Sequence, residues 1–374
     1  MSTNNGQWSK EKIWNWYNSR PWIRGCNFMS SDCNNRIDQW QAFGFEKRLE
    51  TTDRELALAH EIGFNSIRII LEFFVWDNER DTFMRRLDRY LELCAKHKID
   101  AMIVLGNDCM VPKSQYDPPH LGEQEYFPGS HGNRRVSPHG GTNGEMGWHV
   151  CDDPDTRKRY MQFVREVVTA YAHDERVSSW NVWNEPGNNR RGTTSLPYIE
   201  EIFAICREAD TIQPCAADVW RGIRDGKATT EVEQAVLEMS DFISWHNYSK
   251  YSVNIDAIEQ LQTAGRPLIN TEWLNRCNGQ TVEEIYPLYY LEKVGCYNWG
   301  FVVGKYQTNE PYEGMWRTIE SGQPYSFDVT KWMHDLFRPN LRPYDPREID
   351  IIKKYNTLAD ERFAAGRDAS KVKM

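Results

Sequence analysis

The chain has 374 residues, room for one large domain or two small ones. Its 54 acidic side chains outnumber 45 basic ones, a net charge of −9 that repels phosphate backbones and argues against a nucleic-acid partner. Apolar residues make up 40%, enough for a full core, yet they nowhere form the uninterrupted run that a membrane span needs.

In chain order, the N-terminal stretch lacks an apolar signal core, so a cytoplasmic location is expected, with a removed leader as the alternative. A first strand is predicted over 22–28. A helix follows near Thr52, where Thr52 and Glu55 read as a capping box and Gly63 as the stop. Strand two covers 65–71. The next helix carries Phe83, Leu87, Tyr90, Leu91 and Cys94 on one face. Strand three, 101–105, leads into a long Gly-, Pro- and His-rich stretch from 106 to about 153. A helix with Tyr160, Phe163, Val164, Val167 and Tyr171 on one face precedes strand four, 177–183. Helices near 195, over 231–239, 255–262 and 282–293 then alternate with strands over 215–219, 242–246, 267–271 and 297–303. A last helix is expected over 329–337, and a tail with one more helical segment near 347–355.

Eight strand-and-helix pairs in sequence order point to a parallel sheet with helical crossovers. A doubly wound sheet would announce a Gly-rich phosphate turn after strand one, and none is present. The expected fold is α/β: a single (β/α)8 TIM barrel with a long loop after strand three. The domain spans 1–374, with the barrel over about 20–340 and a helical tail over 341–374. Nine cysteines are scattered, with no CxxC pair and no zinc-like spacing, so they read as small buried hydrophobes of a reducing compartment. Only Cys26 and Cys33 are candidates for a pair.

Active sites of such barrels lie at the carboxyl ends of the strands. Strand four ends in Trp183-Asn184-Glu185-Pro186 and strand seven in Asn270-Thr271-Glu272-Trp273, each an apolar run stopped by a carboxylate. Two such acids from strands three units apart suit glycosidic cleavage with retention, which needs carboxyls about 5–5.5 Å apart. Arg68 inside strand two needs a counter-charge, since a lone buried charge is costly, and Glu272 is the evident partner. Asn184 is placed to bond a sugar hydroxyl. The long loop carries Tyr116, His120, Tyr126, Phe127, His131, His139, Trp148 and His149, which suit a substrate wall. Arg134-Arg135 and Arg190-Arg191 read as solvated pairs or as readers of an acidic sugar.

Trp183-Asn184-Glu185-Pro186 with Glu272 in register resembles the acid pair of clan A glycoside hydrolases. Glycoside hydrolase family 5, the cellulase and mannanase family, is the nearest of these, over roughly 20–340. The resemblance implies a retaining glycosidase acting on β-linked oligosaccharides or glycosides, with Glu185 as acid/base and Glu272 as nucleophile. Arg68 then resembles the Arg beneath the nucleophile, and His246 and Tyr248 resemble a pair whose hydroxyl contacts it. Trp299 resembles the floor of the sugar subsite. Trp273 is left between subsite and core, His246 and Trp299 keep a core reading beside the functional one, and Trp148 belongs to the loop wall. The ends of strand three (Gly106-Asn107-Asp108) and strand five (Asp218-Val219-Trp220-Arg221) depart from the family pattern. No metal or organic cofactor is expected. The alternatives are a catalytically impaired sugar-binding barrel and an arabinofuranosidase-type exo-enzyme of the same clan; a lyase or aldolase would want a Schiff-base lysine or a metal cluster at the strand ends, and Lys305, just past strand eight, has no evident partner in the sequence. Sugar identity, endo or exo action and oligomeric state are not legible.

Overall fold

In the computed structural model, which describes residues 6–132, 144–224 and 227–366, the short apolar runs become parallel strands. They are β1 (Arg24–Asn27), β2 (Ser66–Ile70), β3 (Asp100–Val104), β4 (Val177–Asn181), β5 in two halves (Cys215–Ala216 and Asp218–Val219), β6 (Ile243–His246), β7 (Leu268–Trp273) and β8 (Gly295–Asn298). Each pairs with its neighbours in sequence, and β1 also pairs with β8, Arg24 opposite Cys296. The ring closes through β5. Its first half pairs with β4 (Trp180 opposite Cys215) and its second with β6 (Asp218 opposite Ser244). This is the (β/α)8 barrel, with the sheet edges removed by closure.

The helices form where capping and periodicity agree. The first three are α1 (Lys10–Asn18), α2 (Arg36–Trp40) and α3 (Phe45–Glu61), followed by α4 (Phe73–Lys96) and α5 (Pro154–Tyr171). The Asp153 side chain caps Thr156 N at the start of α5, with Pro154 in its first turn. Next come α6 (Leu196–Glu208), α7 (Glu231–Met239), α8 (Tyr251–Gln262) and α9 (Val282–Leu291). Thr230 and Thr281 cap α7 and α9 through their side chains.

Three expectations are corrected. Thr52 and Glu55 are not a cap. They lie inside α3, which starts at Phe45 after Gly44 in the left-handed region, and Glu55 reaches across to Ser31 N at 3.1 Å. The S/T-x-x-E spacing also occurs mid-helix, and here the apolar face continues upstream to Phe45. Residues 329–337 are not helical. Arg276 Nη1 donates to the carbonyls of His334 (2.9 Å) and Asp335 (3.1 Å), holding that backbone open. A short helix, α10 (Glu313–Glu320), precedes it. The eighth helix of the ring is α11 (Pro346–Ala364), which the sequence reading assigned to a tail. Asn356 ties it to both flanks, donating to Ile62 O beyond α3 and accepting from Tyr286 of α9. The nine cysteines are all unpaired, Cys26 and Cys33 included.

The barrel interior is layered. At the amino end Ile23, Met102, Ala216, Ile269 and Tyr297 form an apolar layer, plugged from below by Trp8, Ile13 and Tyr17 of the α1 segment. The sequence reading missed α1, whose short run of aromatics shows no helical stripe long enough to stand out. Above that floor the inward positions turn polar: Asn27, Arg68, Asn181, Asp218 and Thr271, all buried.

Candidate active site

Arg68 follows from the pleat of β2. Ile67 and Ile69 face the helices, so Arg68 between them faces the barrel axis. Its guanidinium is fully buried, with both Nη groups bonded and Nε without a partner. Nη1 donates to Glu272 Oε1 (2.8 Å) and Asn27 Oδ1 (2.7 Å), while Nη2 donates to Asn181 (2.7 Å), Asn184 (2.6 Å) and Asp218 (3.2 Å).

A strict alternation along β7 could not aim both Thr271 and Glu272 inward. The register against β6 shifts between Asn270 and Glu272, a bulge, and the Asn270 side chain accepts from Glu272 N. Thr271 Oγ1 then meets Asp218 at 3.1 Å while Glu272 Oε2 accepts from Tyr248 OH at 2.8 Å. Trp273, the next residue, is turned outward and is 1% exposed against Tyr286 and Tyr289 of α9. The structure therefore places Trp273 in the core, away from the carboxyls, because the bulge spends one residue and restores the alternation after it.

Glu185 follows β4 with φ of +47°, a left-handed backbone that turns the chain sharply at the barrel rim. Its Oε1 lies 2.9 Å from His246 Nδ1, and its Oε2 accepts from the Cys109 thiol (2.9 Å) and from the Asn188 amide. Asn184 beside it donates to Asn107 Oδ1 at 2.9 Å, which couples the ends of β3 and β4. Asp108 tightens that coupling by accepting from Gly187 N (2.7 Å), Ser195 Oγ (2.6 Å) and Arg191 Nε (2.9 Å). Burial pushes the Asp108 carboxyl up to about 6. Gly106 is required here: a Cβ would stand 2.1 Å from the Trp183 ring. Arg191 is thus a buried brace to Asp108 and Asp152, neither solvated nor facing substrate. Arg134, Arg135 and His139 lie outside the described residues.

His246 is the hinge of the electrostatics. Nδ1 is 2.9 Å from Glu185 and 3.5 Å from Glu272, and Nε2 is 3.3 Å from Asp218. Burial lowers its pKa, but the charges of Glu272 and Asp218 and the bonds to Asp218 and Glu185 outweigh it and raise the group to about 10. It is an imidazolium at neutral pH. Asp218, despite burial, is held low by His246 and Arg68. Burial also pushes Glu185 up, but the bond and charge of His246, with the Cys109 and Asn188 bonds, bring it below the ordinary carboxyl value. For Glu272 burial and the nearby Glu185 charge prevail over His246 and Arg68, and the group rises. One ligand atom from each of Glu185, His246 and Glu272 lies within 4.8 Å of the others. These three side chains are also the group among the described residues that converges enough to hold a metal ion.

Around this centre, Trp299 is half-buried at the end of β8 and donates from Nε1 to His131 Nε2 at 2.7 Å. A cleft of about 370 Å³ opens between the loops after β2 and β3, with Cys109 at its inner end and Tyr116 and Trp148 among its walls. His120, Phe127 and His149 of the long loop line it as well, whereas Tyr126 is 56% exposed. A smaller cavity of about 60 Å³ lies beside Trp299, Tyr306 and Arg68. The long loop also straps across to the loop after β8. Gln307 accepts from Tyr126 OH (3.0 Å) and Gly129 N (2.9 Å) and donates to Phe127 O (2.7 Å). On the opposite rim, after β5 and β6, Arg221 and Lys250 are exposed. Lys305 is exposed near the outer edge of the β8 loop.

The structure gathers Arg68, Asn184, Glu185, His246, Tyr248 and Glu272 into one contact network. Trp299 and Trp148 border it, and Trp273 falls outside. Sequence reasoning missed Asp218, Cys109 and Asn188 as members. Asp218 was visible as an acid on strand five by the same strand-end rule, but there it was read as a departure.

The chain is similar to known proteins in two comparisons. The cellulase family model, glycosyl hydrolase family 5, matches residues 27–302. Among solved structures, an exo-β-1,4-mannosidase from Opitutaceae bacterium strain TAV5 superposes with a TM-score of 0.56 at 14% identity, covering 91% of this chain and 60% of that one. A GH5_18 protein from Streptomyces cattleya in complex with GlcNAc gives 0.56 at 12% identity, covering 92% and 81%. The endo-1,4-β-mannanase from Rhizomucor miehei gives 0.55 at 13%, covering 91% and 95%. At these identities the structural likeness speaks for the barrel fold alone. The chain spans 60% of the length of the Opitutaceae enzyme. No curated protein matches the sequence.

Proposed function

The chain belongs to the cellulase family, glycosyl hydrolase family 5, and is a retaining glycosidase; from that premise we propose that Glu272 is its nucleophile and Glu185 its acid/base. The observation that carries this assignment is the approach of the two carboxyls to within 4.8 Å at the barrel mouth. That separation suits direct attack on the anomeric carbon and leaves no room for an intervening water, as inversion would require. Arg68 and Tyr248 each hold one oxygen of Glu272, which aims the carboxylate and stabilises its charge.

Burial and the charge of Glu185 raise Glu272, whereas the bond and charge of His246 outweigh burial and lower Glu185; cleavage needs a proton on Glu185 and a charge on Glu272. His246 touches both carboxyls through one nitrogen. The reaction starts from a protonated Glu185 and an ionised Glu272. Glu272 then attacks as Glu185 protonates the leaving oxygen, giving a glycosyl ester. Water deprotonated by Glu185 hydrolyses that ester.

The substrate we read is a β-linked oligosaccharide cut at a chain end. The support is the strap through Gln307, which ties the long loop after β3 to the loop after β8 at one side of the mouth, while Arg221 and Lys250 on the loops after β5 and β6 are exposed.

The test is a panel of 2-deoxy-2-fluoro glycosides with activated leaving groups. The expected result is one covalent adduct, found by peptide mass spectrometry on Glu272. An adduct on any other residue would sink the assignment. For the chain-end reading, reducing-end-labelled oligosaccharides should release only the terminal unit at early times. A spread of internal products would contradict it.

A further inference from the structure

Cys109 stands where the family pattern is broken, at the start of the loop after β3. The Cys109 thiol donates to Glu185 Oε2 at 2.9 Å. Its sulfur in turn accepts from the Asn188 amide (3.3 Å) and the Asn184 amide (3.5 Å), and its backbone N–H is fixed by Asn107 Oδ1 (2.9 Å). The sulfur therefore cannot swing away without breaking its bonds to Asn184, Glu185 and Asn188 after β4. Asn188 reaches the same carboxyl oxygen, so Oε2 is held by two donors while Oε1 is left to His246. Cys109 is also the one cysteine of the nine that keeps partial exposure, and it lines the cleft.

We propose that Cys109 is a positioning residue for Glu185, its S–H bond fixing the carboxyl plane and tuning when that carboxyl carries its proton. This rests on the acid/base role of Glu185 given above. The groups facing Glu185 are His246 from β6, Glu272 from β7, and Cys109 and Asn188 from the two loops. Those acting on the thiol are Glu185, Glu272 and Arg36 of α2. Burial first, then the charge of Glu185 and the bond to it, raises the Cys109 pKa well above its ordinary value. A hydrogen bond between two titrating groups acts in both directions. The thiol donor favours ionised Glu185, and ionised Glu185 disfavours the thiolate.

Two measurements test this without requiring turnover. The first follows modification of the full chain by methyl methanethiosulfonate against pH, with Cys109→Ser as background. The thiolate displaces methanesulfinate and forms a mixed disulfide. In Glu185→Gln the apparent thiol pKa should fall by at least one unit, with modification at pH 8 about tenfold faster. Identical profiles in the two proteins would overturn the coupling. The second is a carbon NMR titration of glutamate carboxyls, with Glu185 assigned by its absence in Glu185→Gln. Cys109→Ala should raise the Glu185 pKa by about half a unit or more, and Cys109→Ser, which keeps a donor, should restore it. An unchanged Glu185 titration in Cys109→Ala would overturn the positioning role, as would a serine variant that behaves like alanine. If Glu185 proves not to be the acid/base, Glu185→Gln keeps its turnover of unactivated oligosaccharides while both titrations still report on the pair.

Discussion

The two ends of this barrel are closed by opposite means. At the amino end, Ile13 and Tyr17 of α1 press on Ile23, Met102, Ile269 and Tyr297, and the contact is apolar and shape-driven. At the carboxyl end, one guanidinium, one imidazolium and three carboxyls interlock through hydrogen bonds with little apolar surface. The apolar end needs only area and fit. The ionic end is stable only while every member is present, because removing one leaves its partner buried and unpaired. Chemistry is placed in the end where charge is already confined, and stability is drawn from the end where none is.

This contrast can be broken most sharply at Glu272. Glu272→Gln should lower kcat by about 10⁴-fold or more, since the proposed nucleophile and its charge are lost together, whereas changes at the α1 end leave kcat of folded protein unaltered. Arg68→Met should cost both functions at once: about 3–5 kcal/mol of stability in a urea melt, with activity lost too, because Glu272 and Asp218 lose their counter-charge. Ile13→Ala should cost about 2–5 kcal/mol with kcat/KM preserved, the signature of a purely apolar closure. The smallest effect sharpens the comparison through pH. His246 has its folded-state pKa raised from 6.5 to about 10, so its stabilising contribution is complete below pH 6.5 and is lost as pH rises through 10. The gap in melting temperature between wild type and His246→Gln should shrink from pH 6 to pH 10, while the gap for Ile13→Ala should stay constant.

How much of this was legible beforehand follows from the same contrast. Strand ends declare themselves when an apolar run stops at a carboxylate, so Glu185 and Glu272 could be read directly, and Arg68 declared itself by being charged inside an apolar strand. Asp218 has the same credentials but sits in a strand broken at Ala217, with only two residues on each side, too short for period-2 alternation to register. Trp273 stayed open between subsite and core because a bulge leaves no mark in the sequence, yet it decides which of two adjacent side chains faces the axis. The register of the chain's end was misjudged for a similar reason. Residues 329–337 have helix-compatible composition, but their carbonyls are claimed by Arg276 from another part of the chain. Local pattern cannot report a partner that is distant in sequence.

The left-handed turn at Glu185 carries an evolutionary cost of its own. A glutamate there adopts a backbone that glycine would accept freely, at a penalty of about 1–2 kcal/mol. A library ranked only by heat tolerance should enrich glycine at that position and, on the acid/base role proposed for Glu185, lose hydrolysis with it. The glutamate thus holds its place against the chain's own conformational preference.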